Sequence, residues 1–240
     1  MVGCHENGPP GPLKHWCCTW DEKHLGIERD FELRGSALSR LLRMRPDCND
    51  QPGWFPDKRT DFMTVVCREA LSDGNCEIVG GFIRDWIIRG EEPNDIDLRI
   101  WKTFNMTHFI IRCETNWNLK REDRDRKLGF ITPWKHWFSI DYIYVEDIKE
   151  GNRNTDMDLD VNSFAISADL GLHKLDHLER PICKTYGNIM KKEAYLFRYN
   201  PCCDHCDYVL ERVEKMQKRG WMVYRANSLQ DNCGHKVRLL

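Results

Sequence analysis

The stretch Cys76-Glu-Ile-Val-Gly-Gly-Phe-Ile-Arg-Asp-Trp-Ile-Ile-Arg-Gly-Glu-Glu-Pro-Asn-Asp-Ile-Asp-Leu98 decides how this chain is read. A short apolar run ends in Gly80 and Gly81, and a helical pattern follows over residues 82–88. A tight turn then leads to a second apolar run that opens with Asp95 and Asp97. Side chains two apart on a strand point the same way, so these carboxylates share one face while Ile96, Leu98 and Ile100 fill the other. Adjacent carboxylates repel unless a cation lies with them, and oxygen donors of this kind suit Mg²⁺ held partly by phosphates. Glycines at a helix N-terminus let phosphates approach backbone N–H groups and the positive end of the helix dipole. Phosphates and metal are therefore expected to meet at one end of two neighbouring strands. A valine at Gly81 is expected to block that approach and to disfavour a positive φ.

Outward from this stretch, Asp57 is the expected cap of a helix over 57–71, with Phe62, Val65, Val66 and Ala70 inward. The pattern predicts strands at 77–79 and 95–101, a helix at 107–115, and strands at 128–132, 137–145 and 161–167. Over 137–145 the alternation sets Phe138, Ile140, Tyr142 and Tyr144 against Ser139, Asp141, Ile143 and Val145. A carboxylate on a semi-apolar face is costly to bury unless paired or bound to metal, which makes Asp141 a candidate ligand. Beyond residue 168 the pattern is mainly helical, clearest at 204–219. There Tyr208, Val209, Val213 and Met216 form a stripe, Lys218 and Arg219 sit in the last turn, and Gly220 stops the helix. Residues 1–56 read as an irregular extension rich in Gly, Pro, Trp and Cys, with one short helical piece at 36–44 and no assigned chemistry.

With 240 residues the chain can bury a full core, and one domain plus an appendage is the natural expectation. The net charge is −2, but residues 181–240 hold 11 Lys or Arg against 6 Asp or Glu. A basic end beside an acidic site suits a protein that grips a polyanion and uses Mg²⁺. No segment resembles a signal peptide, and no run reaches the ~18 apolar residues of a membrane span. The 12 cysteines are accordingly read as reduced thiols, and the protein as intracellular, most simply cytoplasmic. Cys203 and Cys206, with Cys233 and His235, are candidate zinc ligands; free thiols near a helix start are the alternative.

The motifs resemble the head of the class II CCA-adding enzymes and bacterial-type poly(A) polymerases, within the polymerase-β-like nucleotidyltransferases. That family's signature is Gly-Gly, two residues, Arg-Asp, a short helix, a turn, then Asp-x-Asp on a strand. Here it reads Gly80, Gly81, Arg84, Asp85, then Asp95-Ile96-Asp97, with a slightly longer turn. Asp158-Leu-Asp-Val-Asn162 resembles the family's Arg-Arg-Asp-x-x-x-Asn strand, except that Asp156 and Met157 stand where the two arginines belong. The resemblance covers roughly residues 60–170 and implies an α+β fold: a small mixed sheet with helices on one side over 57–168. A short, mainly helical, basic neck-like region over 169–240 would follow. It implies transfer of a nucleoside monophosphate from an NTP, ATP being the expected donor, to an RNA 3′ hydroxyl by two-metal catalysis. Asp95, Asp97 and Asp141 would bind two Mg²⁺ ions. Gly80 and Gly81 would hold the triphosphate, Arg84 would meet phosphate or brace the turn with Asp85, and Asn162 would contact the sugar or support the site. The family's base-reading Glu-Asp-x-x-Arg has no clean counterpart; Glu211 with Arg212, or Glu193 with Arg198, match it poorly. A head with the same fold that binds nucleotide or RNA without turnover is the alternative expectation.

Overall fold

The computed structural model describes residues 40, 43, 44, 55–125, 127–145, 159–168, 172–174, 182–196 and 204–225. Helix α1 (Arg59–Leu71) buries the expected Phe62, Val65, Val66 and Ala70, but every residue from Phe62 to Leu71 is buried, so the helix is covered all round rather than along one stripe. Lys58 rather than Asp57 occupies its N-cap, so the Asp57 side chain falls one residue too early to meet the first free N–H groups. Strand β1 (Cys76–Val79) follows, then a π-helix (Phe82–Ile88) and strand β2 (Ile96–Ile100). The π-helix is wider than the α-helix its sequence suggests; its end is closed by Arg40, which donates to the carbonyls of Ile87 at 3.0 Å and Ile88 at 3.2 Å. Helix α2 (Met106–Trp117) is capped by Asn105, whose side chain accepts from the His108 N–H.

Strands β3 (Lys120–Arg121), β4 (Leu128–Ile131) and β5 (Trp137–Tyr144) complete the first half. A 3₁₀ turn (Asp160–Asn162) leads into β6 (Phe164–Ile166) and β7 (Leu172–Lys174). The remaining elements are α3 (Ile182–Lys191), β8 (Glu193–Leu196), α4 (Asp204–Lys218) and β9 (Met222–Arg225). Seven strands form one mixed sheet in the order β3-β4-β5-β2-β1-β6-β7, in which only β2 and β5 run parallel. A parallel pair needs a long crossover, here supplied by α2, β3 and β4.

Register sorts the two faces of the sheet. Ile78 lies opposite Leu98 and Ile166, Ile96 opposite Ile140, and Phe130 opposite Phe138. The helices cover this apolar face: Phe62, Ile83, Ile87 and Phe109 join the same core, and the Phe109 ring meets Phe130 edge-on. The other face carries Asp97 opposite Asp141. This is the expected α+β fold, a mixed sheet with helices on one side.

Two segments depart from the pattern reading. The strand expected over 161–167 begins only at Phe164, because Asp160 is held in a polar turn. Its buried carboxylate accepts from the Tyr195 N–H at 2.7 Å and Asn188 Nδ2 at 2.8 Å, and its carbonyl accepts from Ser163 Oγ. Beyond residue 168 the described residues hold three strands as well as helices: β7 extends the main sheet, and β8 and β9 form a separate parallel pair. Of the expected helix at 36–44, Arg40 is helical, Arg43 and Met44 lie in a turn and Met44 is buried; the rest lies outside the described residues. Cys203, Cys233 and His235 also lie outside them, while Cys206 falls within α4. Among the described residues no helix is long and apolar enough to cross a membrane.

Candidate active site

Strand pairing assembles the acidic floor. Because β2 and β5 run side by side, Asp97 lies directly opposite Asp141, and Asp95 stands just before β2. Arg59, at the start of α1, donates to the carbonyl oxygens of Trp137 at 3.1 Å, Pro93 at 2.6 Å and Asn94. One guanidinium thereby ties the turn before Asp95 to the strand that bears Asp141. Pattern reading passes over Arg59, because its role depends on three carbonyls that converge only in the fold.

The glycine turn closes on the same floor. Gly80 has φ +70, and a Cβ there would overlap the Asp97 carboxylate. The Gly81 N–H lies 3.4 Å from Asp97 Oδ2 as donor. Gly81 itself has φ −63, an ordinary helical value, so the positive φ expected there belongs to Gly80 instead. At Gly81 a Cβ would meet only Arg84 and Asp85 atoms at ordinary contact distances, 3.5 and 3.7 Å.

Arg84 and Asp85 brace this turn. Arg84 Nε and one terminal nitrogen donate to the two Asp85 oxygens at 2.6 and 2.5 Å. The other terminal nitrogen donates to Asn162 Oδ1 at 2.5 Å. The guanidinium is buried, and it lies 5.2 Å from the Trp221 ring centroid. Of the two roles expected for Arg84, this geometry favours bracing: its donors are engaged by Asp85 and Asn162. Asn162 is held in its turn by the Asp160 network and so supports the brace.

The opposite wall is α4. Glu211, Arg212, Lys215 and Arg219 line the same cavity of about 500 Å³ as the glycine turn and the three aspartates. Arg219 reaches to 3.9 Å from Asp85, which fixes the end of the helix against the brace. The 212, 215, 219 spacing puts three cations on one helix face. Glu211 and Arg212 match a base-reading motif poorly in the sequence, and nothing local to Lys215 marks it as facing an acidic site.

The floor gathers like charges that call for a cation. Burial, and then the neighbouring Asp141 charge, pushes the Asp95 carboxyl above its ordinary range, while Lys127 pulls it back. Lys127 Nζ lies 2.6 Å from Asp141 Oδ2 and 4.0 Å from Asp95 Oδ2. Its bond to Asp141 holds the ammonium above its usual range. Among the described residues no three Asp, Glu, His or Cys side chains close round a single point as a finished metal cage would. The donor set nevertheless fits Mg²⁺: three hard oxygen donors share one cavity, and an ammonium already serves as their cation.

No protein-family model matches the sequence, and no curated protein matches it. The structure is similar to solved CCA-adding enzymes. One apo form has 16% identity and a TM-score of 0.47, with 78% of this chain and 42% of the other covered. The Thermotoga maritima enzyme complexed with tRNA has 14% identity and a TM-score of 0.44, covering 79% and 42%. A CCA-adding enzyme complexed with CTP has the same identity and TM-score, covering 79% and 43%. The chain thus spans less than half the length of these proteins.

Proposed function

We propose that this chain is a template-independent nucleotidyltransferase that moves a nucleoside monophosphate from an NTP to an RNA 3′ hydroxyl and releases pyrophosphate. ATP is the expected donor. The reading is carried by one observation: Asp97 faces Asp141 across parallel strands, beneath the Gly80–Gly81 turn, in a cavity whose far wall bears three cations.

Asp95, Asp97 and Asp141 would hold two Mg²⁺ ions, which when bound there lower the pKa of the attacking hydroxyl and clamp the triphosphate and leaving oxygens. The glycine turn packs its backbone against the Asp97 carboxylate and lines the cavity in which the triphosphate would lie. Arg212, Lys215 and Arg219 offset the charge of the triphosphate or of the RNA end. Arg84, Asp85 and Asn162 keep the turn and the wall in register. Acidic floor and basic wall together suit a reaction that brings a polyanion to a metal-binding site.

Incubation of the purified protein with each labelled NTP, Mg²⁺ and mixed RNA tests the proposal. Extension of RNA 3′ ends that disappears in Asp97→Ala supports it. Nucleotide binding without extension would make the chain a binding module of the same fold. Absence of both nucleotide binding and extension overturns the reading.

A further inference from the structure

Lys127 lies outside the motifs that define the floor, yet its ammonium is the nearest cation to it. Its backbone is pinned in a tight turn, where its N–H donates to the Arg124 carbonyl at 2.8 Å. The next residue, Leu128, pairs with Ile140, which places Lys127 beside Asp141 on the adjoining strand. From there Nζ donates to Asp141 Oδ2 at 2.6 Å and stands 4.0 Å from Asp95 Oδ2. The side chain is 42% exposed and has four rotatable bonds, so it can swing without unpacking the core.

We propose that Lys127 is a tethered counter-cation of the Asp95–Asp141 pair that a divalent ion must displace, so that metal enters this site by exchange with the ammonium. The inference rests on the reading of the three aspartates as a divalent-cation site. Its physical basis is competition for the same oxygens. An ammonium on Asp141 and a divalent ion between Asp95 and Asp141 would lie within a few ångströms of each other, where like charges repel strongly. Metal-free, the ammonium offsets part of the carboxylate repulsion. Metal-bound, it is released into the cavity that Lys127 already lines, where the phosphates of an NTP would lie. Lys127 is therefore a positioning residue, set to turn from carboxylate to phosphate as metal arrives.

The test is Mn²⁺ titration of the full chain by calorimetry and electron paramagnetic resonance, without nucleotide. Lys127→Met should bind Mn²⁺ about tenfold more tightly than the natural chain, and Lys127→Arg should bind it about as the natural chain does. Metal-free Lys127→Met should also melt lower. The difference should vanish in the Asp141→Asn background, where Lys127 has lost its partner. Lys127→Gln repeats the measurement should methionine disturb the turn. Equal Mn²⁺ affinity with and without Lys127 overturns the exchange while leaving the metal site in place. Absence of Mn²⁺ binding in every variant overturns the metal site and the exchange together.

Discussion

The floor of the cavity is built of strands and carries carboxylates, whereas its far wall is helix α4 and carries Arg212, Lys215 and Arg219. The two offer different kinds of control. Paired strands lie about 4.8 Å apart, so Asp97 and Asp141 are held at a spacing set by the backbone ladder. Short side chains on a rigid ladder suit ions, which demand fixed geometry. Long cationic side chains on a helix adjust, and suit a flexible polyanion. The difference predicts that chemistry fails when the floor is altered, whereas affinity weakens when the wall is.

The sharpest way to break that division is Asp97→Ala. It should lower nucleotide transfer by about 10³-fold or more, the scale on which a single group that stabilises the transition state counts. Far-UV circular dichroism should be unchanged, since Asp97 lies on the face turned away from the core. Substantial residual transfer would move the chemistry off the floor.

Arg84→Met tests the joint between floor and wall. Removal of a buried guanidinium leaves Asp85 without its main partner and should cost about 3 kcal/mol in urea unfolding. The double change Arg84→Met with Asp85→Leu should recover much of that loss, because no buried charge is left unpaired. A single-variant cost below about 1 kcal/mol would make the pair an ordinary surface contact.

Arg219→Ala and Arg212→Ala test the wall. Each should raise the KM for NTP by about tenfold, the usual value of one charge-assisted hydrogen bond, and leave kcat within a few-fold. A matching collapse of kcat would mean that the wall joins the chemistry and that the division fails.

The floor was legible in the sequence because its signals are local. Gly80, Gly81, Asp95 and Asp97 fall within one short stretch, and period-2 alternation states which side chains share a face. Asp141 stands out in the sequence only as a carboxylate on a semi-apolar strand face; its place opposite Asp97 comes from the parallel pairing of β2 and β5, which no local pattern states. The wall was legible only in outline. The basic balance of residues 181–240 suggests a grip on a polyanion, but which side chains face the floor depends on contacts far apart in sequence, Asp85 with Arg219 and Arg84 with Trp221. Asp160 shows the same limit at smaller scale, because the acceptors that stop its strand are filled from α3 and β8.

The smallest expected effect concerns the floor without metal. The Asp95 carboxyl is raised above its ordinary value of about 3.9, by burial first and then by Asp141. A group raised in the folded state favours the fold in its neutral form. That contribution is fully present below the unfolded value and is lost as pH rises through the folded one. At pH 7 in chelator the charged Asp95 therefore costs stability, and Asp95→Asn should raise Tm by about 2 °C. The gain is modest because the side chain is one-third exposed and because asparagine forfeits the attraction of Lys127. Toward pH 3 natural Asp95 becomes protonated, so the two proteins should converge. Saturating Mg²⁺ should reverse the order at pH 7, since a charged Asp95 then has an ion to bind and asparagine does not. A Tm gain that persists unchanged at pH 3 would trace to packing, and the acidic floor would no longer be the strained element of the cavity.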